Sequence, residues 1–277
     1  MRIAVIAPGA MGAAIAWRLH RRGAEVAITL EGRGPASASR AEGLPAQASE
    51  ADLVGWADLV LSILPPGEAE GLALRLAPYL VGKIFADCNA VSPETVRRIA
   101  AQVPGVAFAD IGIIGGPPKS DGPGPRLYAS GPAADSLLPL REHGIDLRLI
   151  SGGIGAASAL KMSYAGITKG ITALGSAMAL GATQAGAADA LLAELGDSQP
   201  EVLRYLQRSV PDMFGKAYRW VAEMEEIADF LGPQPTAEIY RGMAAHYTAL
   251  AADNAGRTPD SSIARLERFF RRDGVKS

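Results

Sequence analysis

Six lysines stand against twenty-one arginines in this chain of 277 residues, and one of the six has the surroundings of a proton-transfer group. Lys161 sits in Gly153-Ile154-Gly155-Ala156-Ala157-Ser158-Ala159-Leu160-Lys161-Met162-Ser163-Tyr164, among small apolar residues near the start of a long helical pattern. A cation in such company loses water, and that loss lowers its pKa. An amine poised between its two protonation states can take a proton from a substrate hydroxyl or return it. At helical spacing Ser158, Tyr164, Ala165 and Thr168 share its face. The competing reading is a lysine that reaches solvent from a buried helix along its methylene stem.

A second constellation opens the chain. Ile3-Ala4-Val5-Ile6-Ala7-Pro8-Gly9-Ala10-Met11-Gly12 runs strand, turn, helix. It nearly matches the fingerprint in which glycines let backbone approach a pyrophosphate and the next helix offers its first N–H groups. Ala7 replaces the first glycine and Pro8 fills a variable position. Pro8, Gly9, Ala10, Met11 and Gly12 are therefore expected to bind a dinucleotide; the competing reading is a tight turn that binds nothing. At the end of the second strand, an acidic residue favours NAD, and arginine with hydroxyl groups favours NADP. Glu31 pulls towards NAD; Arg33, Ser37, Ser39 and Arg40 pull towards NADP, which is the expected cofactor. A solvated loop with ordinary surface arginines would give the same residues.

These groups need a frame. Short apolar runs alternate with helical patterns through the first half: strands at Ile3–Ile6, Glu25–Leu30, Asp58–Leu64, Lys83–Cys88 and Val106–Ile111, with a helix from Gly12 to Arg22. Fully apolar strands separated by helices indicate a parallel sheet covered on both faces. Arg126–Ala129 and Asp146–Ile150 read as later strands, antiparallel at the edge. After Gly152-Gly153 only helical patterns follow, over 156–195, 200–230, 235–256 and 260–272, with Pro200, Pro211, Pro233, Pro235 and Pro259 marking starts or breaks. The expected fold is α/β: a doubly wound Rossmann sheet over residues 1–150, then an all-α domain over 151–277 that carries substrate and dimer contacts.

Composition narrows the function classes. With 48% hydrophobic and 20% charged residues the chain is globular, and a net charge of −2 gives no basic face for nucleic acid. One cysteine, Cys88, and three scattered histidines, His20, His143 and His246, argue against a metal site and fit a reducing cytoplasm. The apolar stretch 3–17 resembles a signal peptide, but its glycine spacing suits the phosphate turn better. Residues 170–188 lack charge yet are mostly Ala, Gly, Ser and Thr, too weakly hydrophobic for lipid, so they read as a buried helix and no membrane partner is expected. A helix apolar nearly all round needs cover on every side, which predicts a homodimer packed through Gly170–Leu195.

The turn at 7–12, the Asp110–Gly116 segment and the Gly-x-Gly…Lys segment come in the order of the β-hydroxyacid dehydrogenase and 6-phosphogluconate dehydrogenase superfamily, which the whole chain resembles. It looks most similar to a phosphogluconate dehydrogenase-like branch with a small helical C-terminal domain. The resemblance implies that Lys161 is the catalytic general acid/base. It implies that Gly115-Gly116 contact substrate, that Asn89-Ala90-Val91-Ser92-Pro93 lies by the nicotinamide, with Ser92 on the substrate, and that Leu64-Pro65-Pro66 lies under the adenosine half. The implied reaction moves hydride between NADP and a small, acidic hydroxy acid held between the two domains. Imine or ketone reduction and decarboxylation after oxidation remain open. Two positions depart from the pattern: Ile114 replaces a serine before the double glycine, and Ala165 replaces an asparagine four residues after the lysine. Tyr164 or Thr168 would then take over substrate contacts, with Lys119 and Lys169 as candidate positive charges. The departures also motivate a rival, a nucleotide sensor that kept the fold without chemistry.

Overall fold

A computed structural model describes residues 1–118 and 122–271; Lys119 lies outside them. The chain divides into two compact units, Met1–Met162 and Ser163–Ser277. The first unit runs β1 (Arg2–Ile6), α1 (Ala10–Arg21), β2 (Glu25–Thr29), α2 (Pro35–Ala41), β3 (Ala46–Gln47), α3 (Glu50–Trp56), β4 (Leu59–Ser62), α4 (Ala69–Leu76), β5 (Ile84–Asp87), α5 (Pro93–Ala101), β6 (Ala107–Ile114), β7 (Arg126–Ser130) and β8 (Asp146–Leu149). The long helix α6 (Ala156–Gln184) begins in it.

The strands form one sheet in the order β3-β2-β1-β4-β5-β6-β7-β8. All pairs from β3 to β6 are parallel; β7 runs antiparallel to β6, and β8 is parallel to β7. The order reverses between β1 and β4, the switch point where doubly wound sheets bind ligands beyond their strand ends. Period-two alternation explains why these strands are apolar throughout. Ile3, Val5, Val26, Ile28, Leu59 and Leu61 pack on one face with Ile15 and Leu19 of α1. Ala4, Ile6, Ala27, Val60 and Phe85 pack on the other with Leu53 of α3, Leu72 and Leu76 of α4, and Val96 and Ile99 of α5. The two-residue β3 escaped sequence reading because so short a strand carries no period.

The second unit is helical: the remainder of α6, then α7 (Ala188–Ser198), α8 (Pro200–Met213), α9 (Ala217–Leu231), α10 (Pro235–Ala255) and α11 (Ser262–Arg271). Two expected helices are each broken in two. The 156–195 pattern stops at a turn around Gly186, and the 200–230 pattern stops at a turn around Gly215, because glycine ends helices that apolar periodicity alone would continue. Trp220 of α9 meets Tyr247 of α10 edge-on at 5.3 Å. The division between units falls inside α6, later than the expected residue 150, because the first turn of that helix is bonded to the sheet.

Candidate active site

The amino end of α1 is open and has no side-chain cap. Gly9 caps it without any side-chain hydrogen bond, and its first turn holds no acidic residue. Ala10 is exposed. Its first N–H groups therefore have no intrahelical acceptor and an open approach. Gly12 is buried over the turn: a Cβ there would stand 2.0 Å from the Ala7 carbonyl oxygen, so only glycine fits. The turn Pro8–Gly12 thus suits the diphosphate of a dinucleotide, even with Ala7 in the first glycine position.

At the end of β2 the acidic and basic residues are both engaged. The Glu31 carboxylate accepts the backbone N–H of Glu50 at 2.7 Å, at the start of α3. Arg33 stands 3.8 Å from carboxylate oxygens of Glu50 and of Glu68. That separation is ionic but too long for a hydrogen bond, and the Arg33 Nε has no hydrogen-bond partner among the described residues. Ser37 is half-buried and Ser39 and Arg40 are exposed on α2.

The loops after β4 and β5 are joined by one buried side chain. Asn89 Oδ1 accepts the Leu64 N–H at 2.6 Å, and its Nδ2 donates to Ser62 Oγ at 2.9 Å and to Asp87 Oδ2 at 2.8 Å. Asn89 therefore fixes the course of Leu64-Pro65-Pro66 rather than offering its own amide to a ligand. Ser92, expected on the substrate, is also engaged within the fold. It is buried and caps α5, accepting the Thr95 N–H at 3.2 Å and sharing a 2.9 Å hydrogen bond with Thr95 Oγ1. A serine directly before Pro at the first helical position is a capping signal that the functional motif obscured.

Beneath Asn89, burial pushes the Asp87 carboxyl up to about 7, and the neighbouring Asp110 adds to the rise while Asn89 hydrogen bonds oppose it. A raised folded-state pKa contributes stability that is complete below the unfolded value and is lost as pH climbs through the folded one. Relative to an Asp87→Asn variant, the wild-type unfolding free energy is therefore expected to fall by roughly 4 kcal/mol at most between about pH 4 and pH 7, then level off. Denaturant titrations of both proteins across that range check this; a gap independent of pH refutes it.

Asp110, on the adjacent strand, carries the lysine helix. Its Oδ2 accepts the backbone N–H of Gly155 at 2.9 Å and of Ser158 at 3.1 Å, and the Ser130 hydroxyl at 3.2 Å. Its Oδ1 accepts the Ser158 hydroxyl at 2.7 Å. Ser130 Oγ in turn accepts the Ala157 N–H at 3.0 Å. A fully buried carboxylate so bonded satisfies helix amides that would otherwise be orphaned; burial raises its pKa and these bonds oppose the rise. The sheet grips α6 one turn before Lys161. Contact is close: a Cβ on Gly112 of β6 would stand 2.6 Å from the Ala157 carbonyl oxygen and 3.2 Å from Lys161 Cβ. Lys161 itself is half-buried, less enclosed than its apolar neighbours suggested. It makes no ion pair among the described residues. The sequence reading missed Asp110, Gly112 and Ser130 as individual functional residues; a glycine inside an apolar strand was the available sign of close backbone approach.

The double glycine follows β6. Gly115 has φ +125°, and Gly116 is exposed with open space where a Cβ would be. Ile114, before them, is half-buried. On α6 beyond Lys161, Tyr164 is 50% exposed and Ala165 buried. The Thr168 hydroxyl, expected to contact substrate, donates instead to the Tyr164 carbonyl at 2.9 Å within its own helix. Lys169 is not a spare positive charge either: it pairs with Glu223 and lies 5.2 Å from the Trp220 ring centre.

The NAD-binding domain of 6-phosphogluconate dehydrogenase matches residues 2–136, and a domain of unknown function (DUF1932) matches residues 182–250. An uncharacterised 28.5 kDa protein of Methanothermus fervidus is 30% identical over 181 residues, spanning 65% of this chain and 70% of that one. An NAD-dependent L-serine dehydrogenase of Pseudomonas aeruginosa is 33% identical over 122 residues, 42% of this chain and 41% of that enzyme. A solved structure of a conserved protein of unknown function, described as similar to 3-hydroxyacid dehydrogenases, superposes with a TM-score of 0.74 at 29% identity, covering 91% of this chain and 97% of that chain.

Proposed function

The chain belongs to the 6-phosphogluconate dehydrogenase-like superfamily with 3-hydroxyacid dehydrogenases, and from that premise we propose an NADP-dependent oxidoreductase acting on a small hydroxy acid or its carbonyl counterpart. One observation carries the reading. The same compact unit holds an uncapped helix end above a glycine with no room for a side chain, and a lysine whose ammonium meets no carboxylate among the described residues.

When bound, the nicotinamide ring accepts or donates the hydride. The α1 amide end holds the diphosphate, with Leu64-Pro65-Pro66 set beside it by Asn89. Lys161 in its neutral form takes the hydroxyl proton as an alcohol becomes a carbonyl; in its ammonium form it returns that proton in the reverse direction. Gly115 and Gly116 bring backbone to the substrate, Tyr164 supplies a hydroxyl on the lysine's own helix face, and Ser92 shapes the site by holding α5. The test is a panel of hydroxy acids and reducible carbonyls followed by NADPH absorbance. Activity on any member that disappears in Lys161→Met supports the reading. Tight NADPH binding with silence across the panel favours a sensor instead. Ketone or imine reduction is the second chemical reading. It is favoured by the hydrocarbon side chains of Ile114 and Ala165 where relatives in the resemblance carry serine and asparagine, since a substrate with fewer polar groups needs fewer partners.

For the cofactor, Glu31 is committed to the start of α3, and Arg33 keeps donor capacity for a 2′-phosphate because its carboxylate neighbours stand beyond hydrogen-bonding distance. NADPH is expected to bind at least 10-fold tighter than NADH, and Arg33→Ala to remove most of that ratio. Fluorescence titrations with both nucleotides check it; equal affinities in the wild type refute it.

We also propose a homodimer. Ile167, Ile171, Leu174 and Met178 recur at helical spacing along α6 and are 41–63% exposed, an apolar stripe on one face rather than a helix covered all round. A second copy presents the same stripe, and a two-fold axis pairs them. Leu174→Asp is expected to shift the light-scattering mass from dimer to monomer at micromolar concentration. A wild-type monomer refutes the proposal. A buried, unpaired Cys88 thiol is in keeping with a reducing cytoplasmic setting; among the described residues no helix is long and apolar enough to cross a membrane.

A further inference from the structure

Arg33, the expected partner of a 2′-phosphate, is already flanked by two carboxylates. Its guanidinium stands 3.8 Å from an oxygen of Glu50 on α3 and 3.8 Å from one of Glu68. The two acids are not alike. The Glu50 side chain is 17% exposed and also accepts Arg75 Nε and Nη2, each at 3.3 Å. Its backbone N–H is taken by the Glu31 carboxylate. Glu68 is 56% exposed, and Arg33 is its single ion-pair partner among the described residues.

Glu68 stands where another role was open to it. It ends the short turn Pro66–Glu68 after β4 and holds the N-cap position of α4, yet its carboxylate makes no capping hydrogen bond. Acidic side chains at that end of a helix gain from its dipole and its unpaired N–H groups. The side chain reaches Arg33 instead. In the sheet β1 lies between β2 and β4, all parallel. The pair therefore bridges two loops that emerge on either side of β1, at the edge where the diphosphate turn begins.

We propose that Glu68 is a specificity-determining residue of the nucleotide site, a displaceable counter-ion that a 2′-phosphate must drive off Arg33. This rests on the cofactor reading above and deepens it. A nucleotide with free ribose hydroxyls leaves the pair in place. A 2′-phosphate brings nearly two negative charges, and a guanidinium fork matches its oxygens with two parallel hydrogen bonds. Arg33 Nε has no hydrogen-bond partner among the described residues, so the fork is unsaturated until then. Glu50 is not the displaceable partner, because its departure would also break its pair with Arg75. Separating an exposed ion pair costs little, so Glu68 trims the affinity for NADPH without abolishing it and leaves that for NADH unchanged.

Fluorescence titrations with NADPH and NADH at low ionic strength test this on four full-length proteins: the wild type, Glu68→Gln, Arg33→Ala and the double variant. Glu68→Gln is expected to tighten NADPH binding by about 3- to 5-fold and to move NADH binding by less than about 1.5-fold. In the Arg33→Ala background the same substitution should move NADPH binding by less than about 1.5-fold, because no pair remains to break. An unchanged NADPH affinity in Glu68→Gln overturns the proposal. So does an equal gain with and without Arg33, or equal tightening of both nucleotides, since either would mark a general charge effect. A wild type that prefers NADH would refute the NADP assignment, and the ratio between variants would still decide the role of Glu68. Absence of binding by both nucleotides would remove the cofactor reading and this inference together.

Discussion

Lys161→Met is expected to lower turnover by about 100- to 10,000-fold while NADPH affinity stays within about twofold. Methionine keeps the length and most of the hydrocarbon of lysine but cannot carry a proton, so binding surfaces survive and proton transfer does not. The loss should be chiefly in kcat, because the amine acts as the bond to hydrogen breaks rather than in holding ground-state substrate. Turnover within a few-fold of the wild type would remove Lys161 from the mechanism, and with it the distinction between this chain and a sensor.

Gly112→Ala should also lower turnover, from a residue that carries no functional group. The added methyl would stand 2.6 Å from the Ala157 carbonyl oxygen, which is helix backbone and cannot swing aside. Either α6 lifts from β6 or the strand bends. Overpacking of this kind costs roughly 1–3 kcal/mol of stability, and a shift near 1 Å at a reacting group costs about 100-fold in rate. A fall of about 30- to 100-fold in kcat with a folded protein and wild-type NADPH affinity is the expected result. Asp110→Asn gives the matching test from the other side. It keeps the volume but loses acceptor capacity for the amides of Gly155 and Ser158 and the hydroxyls of Ser130 and Ser158. If both variants turn over like the wild type, the grip of the sheet on α6 is structural only.

The frame of the first unit was readable because its signals are local. Apolar strands of four to five residues, the glycines of the first turn and the change to helical periodicity after Gly153 each follow from neighbours in sequence, and the parallel sheet with its reversed edge followed from them. Lys161, Gly12 and Gly115-Gly116 were identifiable as residue types at meaningful spacing. Hydrogen-bond assignments were not. The Ser92 and Thr168 hydroxyls read as substrate ligands, yet one closes α5 and the other bonds back along α6, because a hydroxyl near a helix amide or carbonyl is captured by it. Lys169 read as available charge until the fold set Glu223 against it. Sequence by itself determined the alternation of strands and helices followed by a helical half, and singled out the turn at residues 7–12 and Lys161 as candidates. Only the tertiary structure decided that Asp110 holds the lysine helix and that Glu68 stands against Arg33, because pairing between distant residues depends on strand order and helix placement, which no local pattern encodes.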